Sequence, residues 1–153
     1  MTYILSEKSL NKLEGVHPDL VKVVKYAITI SKQDFSVLEG LRTIEAQKAN
    51  IAKGVSQTMK SKHIKQADGY GHAVDLVPYP LSWNIKYYYA IADAMEKAAK
   101  HFNVKIRWGG YWGIFDNTKD ENESYLVQRY VDNKKKLKQK AFVDAPHFEI
   151  VLN

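Results

Sequence analysis

The apolar residues Ile85, Tyr88, Ala92, Met95, Ala99 and Phe102 recur in steps of three and four. That period is one face of an α-helix, and such a face must be buried against another layer. A second stripe, Leu20, Val23, Val24, Ala27 and Ile28, makes the same demand behind Pro18, which suits a first helical turn. Short runs of strand character separate these helices: Phe35 to Glu39 ended by Gly40, Ala73 to Val77 ended by Pro78, Val104 to Trp108, and His147 to Leu152. Helices are also predicted over Ile44 to Lys53, stopped by Gly54, and over Tyr125 to Leu137, with a polar loop at 116–124. Ser82 or Asn84 can cap the long helix. The elements do not alternate as βαβ units. That predicts an α+β fold with a small, largely antiparallel sheet flanked by helices.

At 153 residues the chain suits one domain, 1–153, and can bury a full core without staples. It has no cysteine, which excludes disulfide scaffolds, thiol nucleophiles, iron–sulfur clusters and thiolate zinc sites. No apolar run approaches the ~20 residues of a membrane span, so stable membrane insertion is not expected. The start of the chain, Met1 to Glu7, lacks a basic flank followed by an apolar core. Synthesis in a cytoplasm without a secretory signal is therefore expected. A target beyond the membrane would need another agent to open the way.

The net charge is +6, and Lys134, Lys135, Lys136, Lys138 and Lys140 carry most of that excess. Such a run is either a solvated face or a patch that guides the protein to an anionic polymer: nucleic acid, acidic lipid or bacterial envelope. The chain lacks zinc-finger spacing and an aromatic RNA-binding signature, so nucleic acid is not the expected partner. The stretch Trp108 to Gly113 is predicted as loop at the sheet's edge. Its aromatics either pack in the core or line a groove where glycines admit a ligand.

Metal chemistry in this chain must use His, Asp and Glu. His17 precedes Pro18 at a helix start and His101 lies near a helix end; both have ready structural roles. The region Ser61 to Asp75 is different, because its glycines let the chain double back between a loop histidine, His63, and a strand carboxylate, Asp75. His147 adds a second imidazole at the start of the last strand. Two imidazoles and a carboxylate make a three-ligand zinc set with one position left for water. Zinc lowers the pKa of bound water from ~15.7 to ~7 and polarises a carbonyl. Asp144, three residues before His147, is a candidate proton carrier. There is no His-Glu-x-x-His helix, and spacing alone leaves a plainer option open: Asp75 capping a turn, with His63 and His147 as surface or half-buried polar residues.

The segments Gly40-Leu41-Arg42-Thr43, Gln47, Gly54-Val55-Ser56, Ser61-Lys62-His63, Gly71 to Pro78 and His147-Phe148-Glu149 occur in an order that resembles the M15 family of zinc peptidases. That family includes D-Ala-D-Ala carboxypeptidases, VanY- and VanX-type enzymes and phage L-alanyl-D-glutamate peptidases; the likeness is greatest to the phage branch. The resemblance implies a Hedgehog/D-Ala-D-Ala peptidase-like fold and a zinc endolysin that hydrolyses the peptidoglycan stem peptide at the L-Ala–D-Glu bond. It implies His63, Asp75 and His147 as zinc ligands, Asp144 as acid/base, and Arg42 as the holder of a substrate carboxylate or oxyanion. Ser61 and Gln47 are further candidates for substrate binding or for orienting the site. The other readings are a D-Ala-D-Ala carboxypeptidase or dipeptidase and a non-catalytic wall-binding module. A monomer is expected.

Two features depart from the family pattern. Gln66 to Tyr70 reads as an inserted loop, which makes His72 a rival ligand. Ala145-Pro146 stiffens the link between Asp144 and His147. Glu149, two residues after His147, is placed to partner that histidine or to form a cross-strand ion pair.

Overall fold

The computed structural model describes residues 2–54 and 61–152. Val55 and Ser56 of the Gly-Val-Ser segment lie outside them. In chain order the elements are α1 (Glu7–Lys12), α2 (Pro18–Ile30), β1 (Phe35–Glu39), α3 (Ile44–Ala52) and β2 (Ala73–Pro78), then α4 (Ile85–Phe102), β3 (Ile106–Trp108), β4 (Gly113–Ile114), α5 (Glu123–Lys136) and β5 (His147–Ile150). The sheet has five strands in the order β1-β2-β5-β3-β4, and every pairing is antiparallel.

Local chemistry explains the helix ends. Asn84, rather than Ser82, caps α4 by accepting from the Lys86 N–H, and Asn103 closes it in the left-handed region at φ 54°. Thr43 caps α3 and Asn122 caps α5. The acceptance by Asn122 from Tyr125 starts α5 at Glu123, two residues earlier than periodicity predicted. The short α1 and two-residue β4 carry no period long enough to read in the sequence. Strand β3 begins at Ile106 and β5 ends at Ile150, both shorter than expected.

The apolar stripes of α2 and α4 pack against each other and against the sheet. Successive strand residues point to opposite faces. Val74, Leu76, Ile106, Trp108, Phe148 and Ile150 are therefore buried in the core, while Asp75, Arg107, His147 and Glu149 project from the other face. Trp108 and Phe148 stack across β3 and β5 with ring centroids 6.2 Å apart.

The C-terminal strand is inserted in the middle of the sheet, between β2 and β3, and this positions the site. Asp75 is registered directly opposite His147. A bulge between Val37 and Glu39 brings Glu39 opposite Asp75 on the other side.

Trp108 also donates from Nε1 to the Ala145 carbonyl at 2.8 Å, pinning the turn before β5. Trp108→Phe is expected to leave that buried carbonyl short of a partner and to destabilise the fold by about 1–3 kcal/mol. A lower urea midpoint with an unchanged m-value would show it.

Candidate metal centre

One ligand atom each from His63, Asp75 and His147 lies within 4.8 Å of the others, a grouping that could hold a metal ion. Asp75 is at its middle: its Oδ1 is 3.1 Å from His63 Nε2 and 3.4 Å from His147 Nδ1. Both histidines are buried, and Asp75 is half-buried. The rings stand edge to face with centroids 5.2 Å apart.

The far nitrogen of each ring is also engaged. His63 Nδ1 lies 2.9 Å from the Gly40 carbonyl, and His147 Nε2 lies 2.8 Å from Glu149 Oε1. A proton on each of those nitrogens leaves the lone pairs of His63 Nε2 and His147 Nδ1 facing Asp75, the orientation a metal requires of neutral imidazoles. Glu149 also accepts from Arg107 Nη1 at 3.1 Å, so it fills both roles that the sequence left open.

The electrostatics point the same way. Burial would raise the Asp75 carboxyl, but hydrogen bonds and charge from His147 and His63 hold it far below the usual carboxylate range. Burial would lower His147, yet the hydrogen bonds to Asp75 and Glu149 push it up to about 9. Surroundings that favour a proton at this point also favour a cation.

The loop bearing His63 is fastened from several sides. Arg42 N–H donates to the His63 carbonyl at 2.7 Å, His72 N–H to Lys62 at 2.8 Å, and His63 N–H to Ser61 Oγ at 3.2 Å. Ser61 thus shapes the His63 turn. The segment Gln66 to Tyr70 closes on itself through a Gln66 N–H to Tyr70 carbonyl bond of 2.8 Å. His72, the rival ligand, pairs with Asp68 at 2.8 Å and stands outside the cluster. His17 caps α2, and His101 stacks on Tyr26 with centroids 4.3 Å apart.

Asp144 and His147 are joined by a tight turn through Ala145-Pro146, closed by a His147 N–H to Asp144 carbonyl bond of 3.1 Å. Proline here therefore fixes the separation of the two residues. Asp144 is half-buried. Burial, then the negative charge of Asp75, raises its carboxyl above the usual range, while His147, His63 and Arg42 oppose the rise. Arg42 is held by two acceptors: Nε and Nη2 on Glu39 Oε1, and Nη1 on Gln47 Oε1. Gln47 is fully buried. Its side-chain carbonyl accepts from Arg42 Nη1 and so helps to orient the guanidinium.

The aromatic stretch divides. Trp108 is core and Tyr111 packs against it, whereas Trp112 lies beside His147 with ring centroids 5.2 Å apart. Trp112 takes φ 57°, unusual for a bulky residue, and its Nε1 donates to the Phe142 carbonyl at 2.7 Å. Sequence reasoning missed Glu39 and Arg107. Neither lies at a motif spacing, and only the bulge and the strand register bring them to the site.

A half-buried acid beside two imidazoles and a carboxylate around one point is an arrangement of hydrolase type. The sequence matches the model of the phage L-alanyl-D-glutamate peptidase family over residues 1–151, and the chain belongs to that family. It is 34% identical over 128 residues to the L-alanyl-D-glutamate peptidase of Escherichia phage T5, covering 79% of this chain and 90% of that one. A second relative, the L-alanyl-D-glutamate peptidase of Listeria phage A118, is 34% identical over 85 residues, covering 53% of this chain and 27% of that one. Among solved structures, the Serratia marcescens L-Ala D-Glu endopeptidase ChiX superposes with a TM-score of 0.71 at 34% identity, covering 97% of this chain and 90% of that one.

Proposed function

We propose that this protein is a zinc-dependent endolysin that cuts the L-Ala–D-Glu bond in the stem peptide of bacterial peptidoglycan. The convergence of His63, Asp75 and His147 on one point carries the proposal. The names of the relatives support the choice of bond. A set of two imidazoles and one carboxylate suits zinc, and the engaged far nitrogens fit neutral histidine ligands.

When bound, zinc supplies Lewis-acid polarisation of the attacking water and of the scissile carbonyl. Asp144 accepts the proton that the water loses and returns it to the departing amine nitrogen. Its carboxyl is held above the usual range, which suits a group that must both take and give a proton. Arg42, oriented by Glu39 and Gln47, offers fixed positive charge to the substrate carboxylate or the developing oxyanion. Trp112 walls the groove beside His147. Lys135, Lys136, Lys138 and Lys140 are exposed at and beyond the end of α5 and attract the protein to an anionic envelope.

Digestion of purified peptidoglycan with and without a chelator tests the reading. New amino termini on D-Glu should form, stop with the chelator and resume with added zinc. Release of free D-Ala instead would replace the reading with a carboxypeptidase. Binding to sacculi without new termini would leave a wall-binding module.

Glu149→Gln keeps the shape beside His147 but removes the charge that orients it. Zinc affinity is expected to fall about 10- to 100-fold, measured by competition with a chromophoric chelator.

A further inference from the structure

The sheet face that carries Asp75 and His147 continues past them. Glu149 stands two residues along β5 from His147, roughly 7 Å on, with Ala73 opposite it on one side and Arg107 on the other. A cavity of about 350 Å³ lies at this row, and Arg107, Glu149, Lys62, Asp68, His72 and Leu152 are among the residues that line it. It adjoins the metal centre twice over: Lys62 is the chain neighbour of His63, and Glu149 is the partner of His147.

The charges in this cavity do not cancel. Glu149 is matched on both oxygens, by His147 Nε2 at 2.8 Å and by Arg107 Nη1 at 3.1 Å. Asp68 is matched too, by His72 Nε2 at 2.8 Å and by the Tyr70 N–H at 3.1 Å. Lys62 is exposed and enters no ion pair among the described residues. Arg107 makes no side-chain bond among them besides the one to Glu149. The Lys62 ammonium and the other guanidinium N–H groups are therefore open to an anion. A guanidinium forks onto a carboxylate, and an ammonium beside it adds charge. Leu152, also exposed, offers apolar surface to the methylenes that would carry such a group.

The chemistry of a stem peptide gives that anion a place. An extended peptide advances about 3.3–3.6 Å per residue, so this row faces substrate about two residues from the bond at the metal. On the L-Ala side the stem's amine is closed in an amide, and no carboxylate is present. On the other side, the D-Glu carboxylate lies next to the scissile nitrogen, where Arg42 is its proposed holder. The residue after D-Glu is a diamino acid. Its side chain ends in an amine alone, as in lysine, or in an amine and a carboxylate, as in diaminopimelate.

We infer that the cavity is the subsite for the residue that follows D-Glu, and that Lys62 and Arg107 hold a carboxylate at the end of its side chain. The inference rests on the peptidase reading above and deepens it: the protein selects stem peptides by the charge of their third residue.

The test is steady-state kinetics of the zinc-loaded protein on three soluble peptides, N-acetyl-L-Ala-γ-D-Glu followed by meso-diaminopimelate, by its side-chain amide, or by L-lysine. The diaminopimelate peptide should be favoured about 10- to 100-fold in kcat/KM, the range for a hydrogen bond to a charged group, with most of the difference in KM. The amidated peptide should behave like the lysine peptide, which separates charge from bulk. Lys62→Gln, at an exposed position, should raise KM for the diaminopimelate peptide about 10-fold and shrink its advantage over the other two. Arg107→Gln should do the same, with zinc content measured in parallel because Glu149 loses a partner. Equal rates on all three peptides would overturn the subsite while leaving the peptidase reading intact. An equal loss on all three in Lys62→Gln would make Lys62 a structural residue and overturn its assignment. Cleavage of none of them would overturn the peptidase reading and the subsite with it.

Discussion

Asp144→Asn should leave the fold and zinc affinity intact and lower kcat by roughly 10²–10⁴-fold, the range general acid–base groups contribute. The amide keeps the size of the carboxyl, and the turn to His147 depends on the Asp144 main chain, not on its side chain. What disappears is the capacity to take a proton. That capacity is tuned by position, because burial and Asp75 raise the Asp144 carboxyl while Arg42 and the two histidines restrain it. Steady-state kinetics on a soluble stem peptide, with zinc content measured in parallel, separates the outcomes. Near-normal turnover would remove Asp144 from the mechanism. A parallel loss of zinc would make it a structural residue.

Gly109→Ala should cost about 100-fold in activity with the protein still folded. A Cβ at Gly109 would stand 2.3 Å from the Asp144 carbonyl oxygen and 3.1 Å from both the Asp144 and His147 Cβ atoms. The first contact is with backbone and cannot be relieved by turning a side chain. Gly109 also donates its N–H to the His147 carbonyl at 2.8 Å and accepts from the Asp144 N–H at 2.9 Å. The added methyl must push the Asp144–His147 turn away from β3. Displacing a reacting group by about 1 Å is enough for a 10²-fold loss, while overpacking costs about 1–3 kcal/mol of stability. Circular dichroism, a denaturant midpoint and kcat together check the prediction. Full activity would show that the turn can move without moving Asp144.

These two residues differ in how far they could be read from the sequence. Asp144 stands three places before a histidine in a recognisable pattern. Gly109 looked like one of several glycines in an aromatic stretch, and its role depends on a strand far away in the chain. The same contrast runs through the site. His63, Asp75, His147 and Arg42 were legible through motif order. Glu39 was not, because a bulge in β1 decides which residue stands opposite Asp75. Gln47 was identified, but its full burial behind Arg42 belongs to the packing of α3. His72 resembled a ligand by proximity in sequence, and the self-closing Gln66–Tyr70 loop ties it to Asp68 instead.

By itself the sequence determined the long-period features: the α2 and α4 stripes, most strand positions, the α+β class and the residue types able to hold a metal. Periodicity records which face of an element is buried, so it is written locally. The tertiary structure alone decided that β5 enters the centre of the sheet, that Asp75 faces His147, and which nitrogen of each histidine is turned toward Asp75. Those depend on strand register and on hydrogen bonds between segments tens of residues apart, and no local pattern encodes them.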